Sequence, residues 1–232
     1  MKSATVLLFL AATSVLGQGT FQNLDFESTT VSQSQAPGVV DVTLALPSWS
    51  VYIGTNQQSL IRYNDVAIGS TSVDLLGSNA PGTGYASIEG GFSVLLQGGV
   101  AGSGPNLYPA AASIRQIGLV PASARSVLFK AQPDNAGSLS VSLGGTSIPY
   151  SILSMTPRYN LYGANISAYA GQTLELDFSV SRFSGTAYSN WNLDSIEFSA
   201  SLIPEPGVLS LFALGTVLLT WPFLRVTRHQ PL

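Results

Sequence analysis

Five carboxylates in the middle of the chain could do acid–base chemistry: Asp65, Asp74, Glu89, Glu175 and Asp177. Hydrolysis of a glycosidic bond uses two carboxyl groups facing each other across a sugar, about 5–10 Å apart. Glu175 and Asp177 meet that spacing, because they stand on one face of an alternating run, about 7 Å apart by strand geometry. The plainer use of such a pair is to keep an exposed sheet face charged and unpaired. Other chemistries lack their residues. The only histidine is His229, so residues 18–203 hold no imidazole for a Ser-His-Asp triad or a histidine metal site. Cysteine is absent, which removes thiol nucleophiles, thiolate metal sites and disulfides. A Ser–Lys dyad would have Lys130 alone, in a strand-like run beside Phe129. Tyr52, Tyr63, Tyr85, Tyr108, Tyr159, Tyr162, Tyr188 and Trp191 lie among Asn and Gln residues. Rings beside amides make sugar platforms, and they also make ordinary core and turn aromatics. No one ring is singled out, so ligand-binding residues stay open.

The composition narrows the partners. Only 9% of the 232 residues are charged, against about 25% in ordinary soluble domains. A surface built this way is covered by Ser, Thr, Asn, Gln and Gly. Residues 18–203 carry six basic and eleven acidic side chains, a net charge of −5. No basic stripe exists to neutralise phosphates, so nucleic acid is not an expected partner. About 185 residues suffice for one well-buried core without disulfides.

The two ends read as addresses. Residues 1–17 begin with Lys2, continue through the apolar run Val6–Leu16, and end at Gly17. That order is the pattern of a signal helix removed on export, and the run is too short for a stable span. Near the other end, Val208 to Leu224 is free of charge and is followed by Arg225 and Arg228. This predicts a transmembrane helix over about 208–224, its basic flank held in the cytoplasm. Pro204-Glu205-Pro206 stands just before it. Motif, apolar segment and terminal arginines together resemble the PEP-CTERM sorting signal of Gram-negative bacteria, over residues 204–232. The resemblance implies an exosortase-type sorting protease as partner and export across the inner membrane. It also implies a transient anchor, followed by a cell-surface or extracellular location near extracellular polysaccharide.

The middle, residues 18–203, reads as one all-β domain. Leu139-Ser140-Val141-Ser142-Leu143 alternates apolar and polar residues, and so does Thr173 to Val180, which points Leu174, Leu176, Phe178 and Val180 to one face. Ile196-Glu197-Phe198 continues the pattern. Alternation with turn punctuation predicts half-buried antiparallel strands. Gly144-Gly145 can take the positive φ angles of a tight hairpin. The stretches 77–84 and 101–112, rich in Gly, Pro and Ala, read as loops. An antiparallel jelly-roll β-sandwich is the expected fold.

Short motifs support that fold by resemblance. Asn165 to Thr173 (NISAYAGQT) before a long alternating strand is similar to a segment of galactose-binding-like jelly rolls and carbohydrate-binding modules. Asn23-Leu24-Asp25-Phe26-Glu27 and Leu193 to Phe198 resemble the first and last strands of that group, and Trp49 fits its early core tryptophan. The resemblance implies a structural Ca²⁺ tying the strand ends together, with Glu27 and Asp194 as carboxylate ligands and Asp25 as a weaker one. The simpler role for these acids is capping at adjacent strand ends.

The sequence therefore points to an exported, non-enzymatic surface or matrix protein with a structural or adhesive sandwich. A carbohydrate-binding module is the alternative, and a hydrolase using a carboxylate pair is the second alternative.

Overall fold

The computed structural model describes residues 18–203, without residues 79, 81–83, 135–136, 183–185 and 187. The expected signal helix (1–17), the motif Pro204-Glu205-Pro206, the apolar span 208–224 and Arg225 and Arg228 lie outside the described residues. Among the described residues no helix is long and apolar enough to cross a membrane.

The described chain is built from short strands, with almost no helix. The first group is β1 (Gly38–Asp41), the single-turn helix α1 (Val42–Ala45), β2 (Ser50–Ile53), β3 (Asn56–Gln58), β4 (Leu60–Tyr63) and β5 (Ser72–Gly77). Next come β6 (Phe92–Ala101), β7 (Tyr108–Ala110), β8 (Ala112–Leu119), β9 (Ser126–Asp134) and β10 (Ser138–Leu143). The last are β11 (Thr146–Ser147), β12 (Tyr150–Met155), β13 (Asn160–Asn165), β14 (Thr173–Ser181) and β15 (Ser189–Ser199). They form two sheets, ordered β1-β4-β5-β6-β15-β9-β13-β12, with β7 on β6, and β11-β10-β14-β8-β2-β3. From β6 onward the chain passes back and forth between the sheets, so neighbours in each sheet come from distant sequence. Neighbouring strands run antiparallel, except for the parallel pair β4–β5.

The alternating runs explain the sandwich. Leu139, Val141 and Leu143 of β10, and Leu176, Phe178 and Val180 of β14, are buried from one sheet. Val127, Phe129 and Ala131 of β9, with Trp191 and Leu193 of β15, are buried from the other. Phe129 joins the layers: its ring stacks on Tyr162 at 5.3 Å and meets Phe178 of the opposite sheet edge-on at 5.3 Å. The expected hairpin forms at Gly144 (φ +58°) and Gly145 (φ +77°) between β10 and β11.

Two segments depart from expectation. Residues 23–27 form a loop and not a first strand. Asn23 and Phe26 have φ of 51° and 60°. The Asn23 side chain closes the loop, accepting the Ser28 N–H at 2.9 Å and donating to Pro47 O at 3.1 Å. Such local bonding is what Asn offers the backbone in place of a ladder. Phe26 is fully buried against Trp49, and Leu24 O still accepts the Ile196 N–H at 2.9 Å. The stretch 101–112 is less irregular than its composition suggests, because it contains a 3₁₀ turn and β7.

Candidate functional site

Strand alternation gives the larger sheet a second, polar row on its outer face. In β15, Trp191 and Leu193 face the core, so Asn190, Asn192 and Asp194 face away from it. Pairing sets these opposite Asp134, Gln132 and Lys130 of β9. By the same parity β6 adds Ser93 and Gln97, and β5 adds Ser72 and Asp74. The outward residues of β5, β6 and β15 are nonetheless buried, with Asn192, Gln97, Ser93 and Asp74 fully so. Segments 64–71 and 84–91 cover them.

The polar row holds its cover in place. Asn192 accepts from Ser93 Oγ at 2.7 Å and donates to Ala86 O at 2.9 Å. Asn190 donates to the Tyr85 hydroxyl at 2.8 Å, and that hydroxyl donates to Asp134. Asp194 accepts the Glu89 N–H at 2.8 Å, and Gln97 donates to Ala67 O at 2.9 Å. Leu76, Leu95 and Ala80, with Val66 and Tyr85 against them, fill the remaining space with apolar contact. Beside this cover an open cavity of about 270 Å³ is lined by Tyr85, Ser87, Ile88, Gln132, Pro157 and Arg158, with Gly84 and Ala86. Arg158 donates to Ser87 O at 3.0 Å. Glu89 forms an ion pair with Lys130 at the rim and accepts from Ser195 Oγ at 3.2 Å.

Burial dominates the electrostatics. It raises the pKa of Asp74 to about 7, against hydrogen bonds from the Asp65 N–H and Ser72 and the charge of Arg62. It also raises Asp194 to about 7, against N–H bonds from Glu89 and Ser195 and with a small push from Glu27. Glu89 is lowered, first by its bond from Lys130. Burial pushes the Tyr85 hydroxyl up, so it stays a neutral donor.

Of the residues expected from sequence, the structure brings some together. Glu27 Oε1 accepts the N–H groups of Gly91 and Phe92 at 2.9 and 3.0 Å, clasping the same cover that Asp194 holds. Asp194 Oδ1 also accepts the Ser195 N–H at 2.6 Å. Asp25 accepts the Glu27 N–H, at 3.3 Å. These bonds are the capping role, and among the described residues no group of three or more acidic or histidine side chains is spaced to hold a metal. A second cavity of about 370 Å³ lies by Gln18, Asn23, Asp25 and Ser28. Glu175 and Asp177 stand on the outer face of the smaller sheet, where Asp177 pairs with Arg115 at 3.0 Å and Arg115 covers the Tyr52 ring. Neither lines either cavity. Burial raises the pKa of Asp177. Tyr63, Tyr162 and Trp191 are core rings, the last of them in β15. Tyr85 and Tyr159 are the half-buried tyrosines beside the first cavity.

No family model and no curated protein matches this chain. Among solved structures, distant similarity is found to the following. The enzymatically active domain of bacteriophage CBA120 tailspike protein 4 is 14% identical with a TM-score of 0.38, over 78% of this chain and 21% of that one. The chain thus spans about a fifth of that tailspike chain. The apo form of a cyclase from Fischerella sp. is 13% identical with a TM-score of 0.45, over 77% of this chain and 93% of that one. The secreted serine protease VesC from Vibrio cholerae is 11% identical with a TM-score of 0.29, over 73% of this chain and 44% of that one.

Sequence reading passed over Asn190, Asn192, Gln97 and Gln132, the amides that build this face. A signal was present: Asn190-Trp191-Asn192-Leu193-Asp194 alternates with period two, and Lys130-Ala131-Gln132-Pro133-Asp134 matches it in the paired strand.

Proposed function

We propose that this chain is an exported surface or matrix protein, sorted through Pro204-Glu205-Pro206 and the basic-flanked tail. Its sandwich serves a structural or adhesive role and contacts extracellular polysaccharide through the outer face of the larger sheet. We read the sandwich as a jelly roll, and the two four-strand sets β6-β15-β9-β13 and β8-β14-β10-β11 support that reading. The observation that carries the proposed contact is the open cavity over Gln132, bounded by Tyr85, Ser87 and Arg158. An amide, a hydroxyl, a ring and a guanidinium around an open hollow suit a polyhydroxylated ligand better than an apolar one. No catalysis is expected. The hydrolase alternative would use Glu175 and Asp177, yet Asp177 is engaged with Arg115. The test is retention on the producing organism's own matrix polysaccharide, compared with Tyr85→Ala and Gln132→Ala. Retention lost in both variants, with melting unchanged, supports the contact. No retention of the wild type removes it, and release of reducing sugar would replace it with the hydrolase.

A structural calcium at Glu27, Asp194 and Asp25 is a second proposal. It is favoured by the two carboxylates meeting on one short segment, Glu27 at the Gly91 and Phe92 N–H groups and Asp194 at the Glu89 N–H. The ion would have to compete with the N–H groups these carboxylates already hold. A higher melting temperature in calcium than in chelator supports it, and equal melting refutes it.

A further inference from the structure

We propose that the free edge of the larger sheet, strand β12, is a membrane-resting surface that lies against the bilayer while the tail is inserted; this rests on the anchoring role given to residues 208–224. Three observations meet at this edge. The first is its character. β12 is an outermost strand, and Ile152, Leu153 and Met155 are 49%, 41% and 73% exposed. The strand has no charged residue, although edges are ordinarily protected by charge.

The second is where the chain leaves the domain. Ser199 pairs with Ser126 of β9, and Ser201 O accepts from Ser126 Oγ at 2.8 Å. Ile203 then reaches Gly163 of β13. A Cβ on Gly163 would come 2.2 Å from Ile203 Cδ1 and 2.8 Å from Leu153 Cδ1, so these two side chains share the space that glycine leaves. The exit segment thus crosses from β9 over β13 towards β12, with Leu202 63% exposed. Val208 opens the charge-free segment five residues later, a reach of at most about 18 Å. A surface tethered this closely meets the bilayer at high effective concentration, so weak side-chain insertion suffices.

The third is charge. The domain carries eleven acids, yet residues 135–174, which contain β12 and its neighbours, hold none. Arg158, in the turn after β12, forms no ion pair among the described residues. An apolar edge with no acid of its own, beside the Arg158 guanidinium, fits an anionic lipid interface. It fits a second copy less well, because the ladder is broken by a register shift between Ile152 and Ser154, and such bulges disfavour edge-to-edge pairing.

The absence of cysteine permits a direct test. The full chain is reconstituted into phosphatidylethanolamine/phosphatidylglycerol vesicles containing doxyl-labelled lipid. An environment-sensitive dye is placed at Ser154→Cys, at Gln57→Cys on the edge of the other sheet, or at Ser210→Cys in the tail. Quenching at 154 at least twofold above that at 57, and reduced when Leu153→Ser and Met155→Ser are added, supports the proposal. Quenching at 210 with none at 154 overturns it while leaving the anchor intact. No quenching at 210 overturns the anchor as well. Shielding at 154 that disappears when the protein is diluted among vesicles assigns the edge to a second copy and overturns the lipid assignment.

Discussion

Asp74 offers a quantitative test of the buried polar row. Its carboxyl is fully buried and titrates at about 7, whereas an unfolded Asp titrates at about 3.9. Between those values the folded protein keeps a proton that the unfolded chain has lost. Stability is therefore greatest below about pH 4, falls as pH rises through about 7, and levels off above it. Asp194, also at about 7, and Asp177, raised by burial, contribute with the same sign. Glu89 and Asp41 are lowered instead, so their effects fall in more acidic solution and leave the window from pH 5 to 8 clear. The rise from about 3.9 to about 7, at about 1.4 kcal/mol for each tenfold change in proton affinity, gives a ceiling of about 4 kcal/mol for Asp74. Asp74→Asn keeps the shape and removes the titration. Arg62 is not orphaned by the change, because it pairs with Asp65. The replacement keeps one acceptor for the Asp65 N–H or for Ser72 and loses the other, which costs about 1 kcal/mol. The variant should be more stable than wild type by about 1–3 kcal/mol at pH 8, and no more stable at pH 4.5. Urea unfolding at pH 4.5, 6, 7 and 8 reads this directly. A wild-type stability that stays flat or rises from pH 5 to 8 would refute the burial argument. So would an Asp74→Asn variant with the wild-type slope.

Other outcomes follow from packing and backbone. Phe129→Ala removes the ring that joins Tyr162, Tyr150 and Phe178, and should cost about 3–5 kcal/mol in denaturant unfolding. Gly145→Ala tests backbone alone: φ is +77° and nothing lies within 4 Å of the added Cβ, so a loss of about 1–2 kcal/mol is expected, and no loss would show that the hairpin adapts. Trp49→Phe leaves Asn23 O without its 2.9 Å bond from the indole. It should lower stability by about 1–3 kcal/mol, read as an earlier urea midpoint.

The parts of the fold legible in the sequence are those set by neighbouring residues. Alternation in 139–143 and 173–180 fixes which side chains face the core, whatever strands pair with them. Gly144-Gly145 is a local turn signal and forms its hairpin. The loop 23–27 was misleading because Leu24-Asp25-Phe26 alternates as a strand does, while the Asn23 side chain, bonding to Ser28 and Pro47, decides the conformation. The site was harder to read for a different reason. Polar positions on an alternating strand ordinarily mean solvent. Here Asn190, Asn192, Gln97 and Asp74 lie under segments 64–71 and 84–91, and burial by a remote segment has no local signature. Burial is also why Asp74 and Asp194 titrate far from their ordinary range.

The way the cover is held bears on what the cavity can become. Several bonds that hold segment 84–92 go to its backbone: Asn192 to Ala86 O, Arg158 to Ser87 O, Asp194 from the Glu89 N–H, and Glu27 from Gly91 and Phe92. Tyr85 is the cover side chain that the amide row itself engages, through Asn190. Backbone anchors fix the position of the segment without fixing its sequence. Ser87 and Ile88 can therefore change while the hollow keeps its place, whereas loss of Asn192, Asp194 or Glu27 would displace the whole segment. The rigid part of the candidate site belongs to the sheet strands, and its exposed groups belong to a few cover residues. That division suits the proposed role, in which an adjustable ligand contact sits on a constant scaffold.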